Sequence, residues 1–461
     1  MGKYQAYPEY KDSGVEWLGE IPSFWRCTRL KRYCKVTDGS HHSPKIEADG
    51  YPFISVTDVG LNSINFSDAK RISQKDYRRL VKEGCKPSIG DVLLTKDGTI
   101  GRACIVKEDM PDFVILSSLG LLTPKEDIVN SYLYYYLVSG INVDQMNSMI
   151  HGSALRRMTI SKIDDLILVL PSRDEQTKIA NFLDHETAKI DTLLEKQQQL
   201  IKLLKEKRQA VISHAVTKGL NPEVLMKDSG VEWLGEVPEH WEVKRLKNCL
   251  LAPMRNGLFK KKDQFGSGSL LVNVGDLYIP DNFISPSSLE RVVTTKEEQQ
   301  TYKVSSGDIF FVRSSLKLEG IGRSACFLEE KDDVVFECHI VNARPDKGQI
   351  SPKYLTRYLN SELVSQEFIK RSKTTTMTTI DQGALSSITV LVPPLEEQLN
   401  VDAFLDKELG AIQIAVEKSE LAIKLLTERR TAIISSAVTG KIDVRYWQAP
   451  TSQDQTLEHT A

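Results

Sequence analysis

A chain of 461 residues, 41% hydrophobic and 26% charged, has the make-up of a globular protein and is too long for one core. A prior of about one domain per 150 residues suggests three or four units. The formal charge of −2 decides neither for nor against nucleic acid. No apolar run nears the roughly 20 residues of a membrane span and the opening MGKYQAYPEYKDSG holds no signal-peptide stretch, so a cytoplasmic protein without a membrane partner is expected.

The chain begins with KDSGVEWLGEIP at 11–22, where Trp17, Leu18 and Trp25 around Pro22 suggest a packing corner. Between 31 and 170, the runs PFISVTDV, INFS, GDVLLTKDGTIGRACIV, FVILSSLGLL and DLILVLP are short, apolar or alternating, and punctuated by turns. They read as strands. YLYYYLV at 132–138 reads as a short helix packed on that sheet, which makes the unit mixed α/β (α+β).

Pro171 and the acids after it then open a long helix, because proline and carboxylates suit the positive end of a helix dipole. Along it Ile179, Leu183, Ile190, Leu193, Leu200, Leu204, Val211 and Ala215 recur at heptad spacing, the seam of a coiled coil. About 43 residues rising about 1.5 Å each predict a rod of about 65 Å that needs a partner. Gly219 is placed to stop it.

The order then repeats. KDSGVEWL returns at 227–234, and GSLLVNVGDLY, GDIFFVRSS, IGRSACFLE and VVFECHIVNARP read as strands of a second unit. SPKYLTRYL reads as its short helix and SSITVLVPP as its last strand. The run 175–217 recurs without a gap as 397–439, with Val401, Leu405, Ile412, Ala415, Ala422, Leu426, Ile433 and Ala437 at the seam positions. The expected plan is a globular unit at 1–170, a helix at 171–219, a second unit at 220–392, a helix at 393–445 and a disordered tail at 446–461. The two helices are expected to pair as an antiparallel coiled coil with pseudo-two-fold symmetry.

No catalytic pattern is found. The chain has no G-x-x-x-x-G-K-[ST] loop, no glycine-rich dinucleotide signature, no N-P-P-[FY] segment, and no acid-x-Lys partner for the Pro-Asp steps at Pro111, Pro280 and Pro345. Seven cysteines, an odd number without a C-x-x-C pair, argue against zinc and disulfides, and no histidine spacing suggests a metal. A binder is expected, with no cofactor of its own.

Basic residues cluster at 26–32, 156–157, 260–262 and 370–373, outside the long helices. The candidate DNA-contacting residues lie in loops. They are Ser40, His41 and His42 in TDGSHHSP; Lys96, Asp97, Thr99 and Arg102 in the glycine turn TKDGTIGR; and Arg156 and Arg157 in GSALRRMT. In the second unit they are Arg255, Asn256, Lys260 and Lys261; Arg313, Ser314, Lys317 and Arg323 in RSSLKLEGIGR; and Lys373 and Thr374 in KTTTMTT. Glycine lets a backbone approach closely, Lys and Arg suit phosphate and guanine, and Asp accepts from cytosine. A plain hairpin or an exposed polar loop would carry the same residues.

SGVEWLGEIPSFW and SGVEWLGEVPEHW, the loop VTDGSHHSP, the helix starts at Pro171 and Pro393, FLDHETAKID and the ending RRTAIISSAVTGKIDVR together resemble the specificity subunits of type I restriction-modification enzymes over nearly the whole chain. The second copy reads FLDKELGAIQ, so Thr187 and Asp191 are given no polar role common to both copies. The resemblance implies two target recognition domains, each reading half of a split double-stranded DNA target. It implies that the helix pair sets the spacer and docks two methylation subunits. S-adenosylmethionine would then sit on those partners, and ATP and Mg on restriction subunits. A duplicated coiled-coil scaffold that assembles proteins without reading DNA is the alternative class.

Overall fold

Gln176 and Gln398 show why each long helix begins where it does. Both are buried just inside the first turn. The Gln176 carboxamide accepts from Val129 N (2.9 Å) and donates to Asp127 O (3.2 Å) and Pro171 O (3.1 Å). Gln398 repeats the set with Ser351 N (2.7 Å), Gln349 O (3.0 Å) and Pro393 O (2.8 Å). A buried amide satisfied on every side ties the helix start to the loop before a short helix, at about 1 kcal/mol per bond.

A computed structural model describes residues 4–150, 156–374 and 377–449 of this architecture. The long helices run Arg173–Lys218 and Leu395–Val438. The chain divides into two compact units, Met1–Gln198 with Leu421–Ala461, and Gln199–Glu420. Each unit therefore holds one globular part, half of one long helix and the opposite half of the other. No helix among the described residues is long and apolar enough to cross a membrane.

In the first unit Leu119–Pro124 lies between Cys34–Asp38 and Val92–Thr95, with Ala103–Ile105 beyond, all antiparallel. A second sheet orders Val114–Ile115, Tyr51–Ile54, Lys70–Ile72 and Ile46–Glu47. The run INFS is not a strand; Ile64 makes a single bridge to Val59. Tyrosine-rich YLYYYLV is the helix Asn130–Val138, and Tyr132 and Tyr136 donate to the carbonyls of Val169 and Ile167 in the last strand, Ile167–Leu170. Ile179, Phe182, Leu183 and Ile190 of the first long helix join Ile433, Ala437 and Val438 of the second in that same core.

The second unit is built alike. Its five-stranded sheet orders Arg255–Asn256, Ile340–Ala343, Asp308–Val312, Ser324–Phe327 and Phe283–Ile284. Beside it Phe265–Val272 lies between Glu290–Val292 and Val334–Phe336. The helix Pro352–Leu359 plays the part of Asn130–Val138, with Tyr354 donating to Val216 O and Tyr358 to Thr389 O. Ile212, Val216, Val401 and Leu405 of the long helices close the core.

The heptad seam needs correction in mid-helix. Leu193 is 46% and Leu200 41% exposed, and Leu204 and Val211 are half-buried. An α-helix drifts about 20° per heptad, so a stripe at fixed spacing rotates off one face over this length. Toward the ends the apolar residues instead enter the globular cores. Past the second helix, Trp447 packs edge-on against Phe182 (5.5 Å between centroids), so the segment expected to be a tail begins ordered; residues 450–461 lie outside the described set.

Candidate nucleic-acid interface

FVILSSLGLL and VVFECHIVNARP, each expected as one strand, are each two strands in different sheets. The first breaks at Leu116–Ser118 between Val114–Ile115 and Leu119–Pro124, the second at Glu337–His339 between Val334–Phe336 and Ile340–Ala343. The polar residues inside an apolar run were the signal. They mark where the chain crosses from sheet to sheet, with His339 of the second break exposed.

Three segments meet at each break. In the first unit Lys96 N donates to Ser118 O (3.1 Å), Met158 N to Lys96 O (2.8 Å) and Gly98 N to Arg156 O (2.9 Å), and Asp97 bridges Arg157. In the second unit Arg313 N donates to His339 O (3.4 Å) and Ile380 N to Arg313 O (3.0 Å), while Ser314 pairs with Thr379 and Ser315 with Thr378. The backbone frame is the same. Lys96 is therefore equivalent to Arg313, Asp97 to Ser314, Ser118 to His339 and Arg157 to Thr379. The frame closes identically as well: Thr95 N and Val312 N donate to Arg102 O and Arg323 O, and Gly101 N and Gly322 N donate back to Thr95 O and Val312 O. Gly101 has φ +95° and Gly322 φ +72°, a conformation that L side chains rarely adopt.

The side chains on this frame differ. In the first unit Asp97 lies 3.3 Å from Arg157 Nε and 3.5 Å from Lys96 Nζ, and Thr99, Arg102, Arg156 and Arg157 are exposed. In the second unit Ser314, Lys317, His339, Tyr278 and Met377 line a cleft of about 550 Å³. The Arg313 side chain, half-buried beside it, makes no hydrogen bond or ion pair among the described residues. Lys261, Lys373 and Thr374 are exposed, with Thr374 Oγ1 3.1 Å from Thr378 Oγ1. Asn256 accepts from Gln382 (3.0 Å) at the edge of the same sheet. His339, Tyr278, Met377, Ser118 and Gln382 are the residues that sequence reasoning passed over.

Several expected contacts are committed to the fold instead. Lys96 is only 2% exposed and its ammonium faces Asp97, so it does not reach out of the surface. Arg255 donates to Asn342 and to the carbonyls of Thr301 and Lys303, and Arg323 to the carbonyls of Leu277 and Ile279; burial lowers the pKa of both. Lys260, 7% exposed, holds Glu298 at 2.8 Å. Ser40 is buried, accepting from His42 N (3.1 Å) and donating to His42 O (3.0 Å), while exposed His41 pairs with Asp38 at 3.0 Å. Short loops need such internal bonds to hold one shape, and sequence does not distinguish a cation that braces a loop from one that faces solvent. Residues 152–155 and 375–376 of the two hydroxyl- and cation-bearing loops lie outside the described residues.

Glu337, Cys338 and His339 bring donor atoms within 4.8 Å of one another. As three consecutive residues they offer one side of a coordination shell, and Glu337 already accepts from His339 N (2.9 Å).

A family model described as the type I restriction modification DNA specificity domain matches residues 26–203 and again 238–425. The chain is 23% identical over 447 residues to the specificity subunit of the type I restriction enzyme EcoKI from Escherichia coli K12, covering 94% of this chain and 92% of that one. It is 24% identical over 458 residues to the MjaIX specificity subunit of Methanocaldococcus jannaschii, covering 96% and 99%. A solved structure from work on complex assembly and conformational transition of the type I R-M system superposes with a TM-score of 0.68 at 14% identity, over 92% of this chain and 99% of that one.

Proposed function

This chain belongs to the type I restriction-modification DNA specificity family, and from that premise we propose how its parts divide the work of reading DNA. It is the non-catalytic specificity subunit of a type I restriction-modification complex, whose partners are DNA and the methylation and restriction subunits. Residues 1–170 and 220–392 are two target recognition domains, each reading one half of a bipartite double-stranded target in the cytoplasm. Residues 171–219 and 393–445 are the helices that set the spacer and dock two methylation subunits. The S-adenosylmethionine, ATP and Mg chemistry belongs to the partners.

The observation that carries this reading is one backbone frame displaying two sets of side chains. Asp97 and Arg157 stand where the second unit has Ser314 and Thr379, and buried Ser118, whose hydroxyl accepts from Val56 N, stands where it has exposed His339. Carboxylate, hydroxyl and imidazole present different donor and acceptor patterns to base edges in the major groove, so equal frames read unequal half-sites. The exposed cations Arg102, Arg156, Lys261 and Lys373 fix register on phosphates without carrying sequence information. Leu203 and Leu425, equivalent positions of the two long helices, are 53% and 55% exposed, which supports a partner docking on both.

The test is methylation of a defined bipartite DNA by this chain mixed with its cognate methylation subunit and S-adenosylmethionine. Transfer that depends on both half-sites and on their spacing is expected. Removing one heptad from each long helix, seven residues within 193–200 and seven within 415–422, should shorten the preferred spacer and leave both half-sites unchanged. A protein scaffold that does not read DNA would give no sequence-dependent methylation.

A further inference from the structure

The longest run of identity between the two halves lies outside the long helices: KDSGVEWLGE at 11–20 recurs unchanged at 227–236. Each copy is a hairpin, Tyr10–Asp12 with Glu20–Pro22 and Met226–Asp228 with Glu236–Pro238, in the same register. The fold accounts for part of that identity. Asp12 and Asp228 each accept from the amide of the following glycine, Gly14 or Gly230, at 2.9 Å. Ser13 and Ser229 accept from Val15 N and Val231 N, and Leu18 and Leu234 are buried.

The fold does not account for Glu16 and Glu20 or their copies Glu232 and Glu236. All four are exposed, and their carboxylates make no hydrogen bond or ion pair among the described residues. Trp17 stands with them, 45% exposed, while Trp233 leans partly on its unit's core. A few residues on, exposed positions have drifted freely: Phe24 is matched by His240 and Arg26 by Glu242, a reversal of charge. An exposed, unpaired residue that is held identical in both copies, beside others that are not, is used the same way in both.

We infer that these two hairpins are a docking site presented twice, each receiving one methylation subunit through lysine or arginine on the two glutamates and an apolar slot for the tryptophan. The inference rests on the family reading above. Three carboxylates against one lysine on each hairpin repel phosphate, so DNA is the wrong occupant and a basic protein surface the right one. The subunit that carries the chemistry must be placed beside each reading unit, and this hairpin is the feature with which each reading unit begins. A surface tryptophan flanked by charge, free to be buried by a partner, is also a common composition for an interface anchor.

The experiment is native mass spectrometry and sedimentation of the full chain with its cognate methylation subunit, without DNA. Three charge-reversed forms are compared with the unaltered chain: Glu16→Lys with Glu20→Lys, Glu232→Lys with Glu236→Lys, and all four together. Each single-hairpin form is expected to weaken one site about tenfold or more and to lose one methylation subunit, and the fourfold form to lose both. Glu16→Gln with Glu20→Gln keeps size and hydrogen bonding and should weaken the same site less, which separates docking from misfolding. Wild-type stoichiometry and affinity in the fourfold form would overturn the inference. If the unaltered chain fails to assemble at all, the family reading falls, and the inference with it.

Discussion

Two regions of each globular unit have been treated differently by the duplication. Where the unit meets its long helix, Gln176 and Gln398 make the same set of bonds, Trp25 and Trp241 are both fully buried, and Asp184 and Asp406 both take a hydrogen bond from the short helix. The donors have changed, from the Tyr135 hydroxyl (2.7 Å) in the first unit to the Arg357 guanidinium and the Lys353 ammonium in the second. At the loops of the candidate interface the frame is equally constant, but where the first unit has Asp97, Ser118 and Arg157 the second has Ser314, His339 and Thr379. The lesson is that the packing that positions each unit is held while the loop side chains proposed to read DNA vary.

That contrast is broken most strongly at the helix anchor of the second unit. Arg357, 4% exposed, holds Asp402 at 3.1 Å and also pairs with Asp406, while burial keeps the Asp402 carboxyl above its ordinary pKa. Arg357→Leu leaves that carboxylate buried with no cation bonded to it and only the Ser351 hydroxyl donating to it, and a loss of about 3–5 kcal/mol is expected in denaturant unfolding. Gln398→Leu strands Ser351 N and two carbonyls and should cost about 3 kcal/mol, with Gln176→Leu costing a similar amount in the first unit. None of these three changes should alter which bases are preferred in chains that remain folded.

At the reading face the effects are smaller and selective. Arg313→Ala with Lys317→Ala is expected to cost about 1–3 kcal/mol on one half-site, measured by binding to DNA altered in one half at a time. Lys261→Ala, an exposed cation, should weaken all sequences alike and lower the slope of log affinity against log salt by about one. Base-specific loss from Lys261→Ala would move that residue into the reading set.

Much of this was legible in the chain. Heptad spacing, the proline-acid starts and the repeated KDSGVEWL gave the duplicated plan and the long helices, because helix signals are local in sequence. The strand breaks at Ser117 and Cys338 were marked only by the polar residues that interrupt each apolar run, and nothing local says which sheet each half joins. Nor was the commitment of Lys96, Arg255, Lys260 and Arg323 to internal partners, which are set by residues up to 87 positions away, as Asn342 is from Arg255. Leu193 and Leu200 fit the heptad and yet face outward, because spacing gives a stripe and not its partner.

The most direct test of the account is the methylation profile of the assembled complex over a library of bipartite DNA, comparing the unaltered chain with Arg313→Ala and Lys317→Ala. The account predicts relaxed sequence preference in one half-site, with the other half-site and the spacer unchanged. Equal loss of preference in both halves, or in neither, would contradict it.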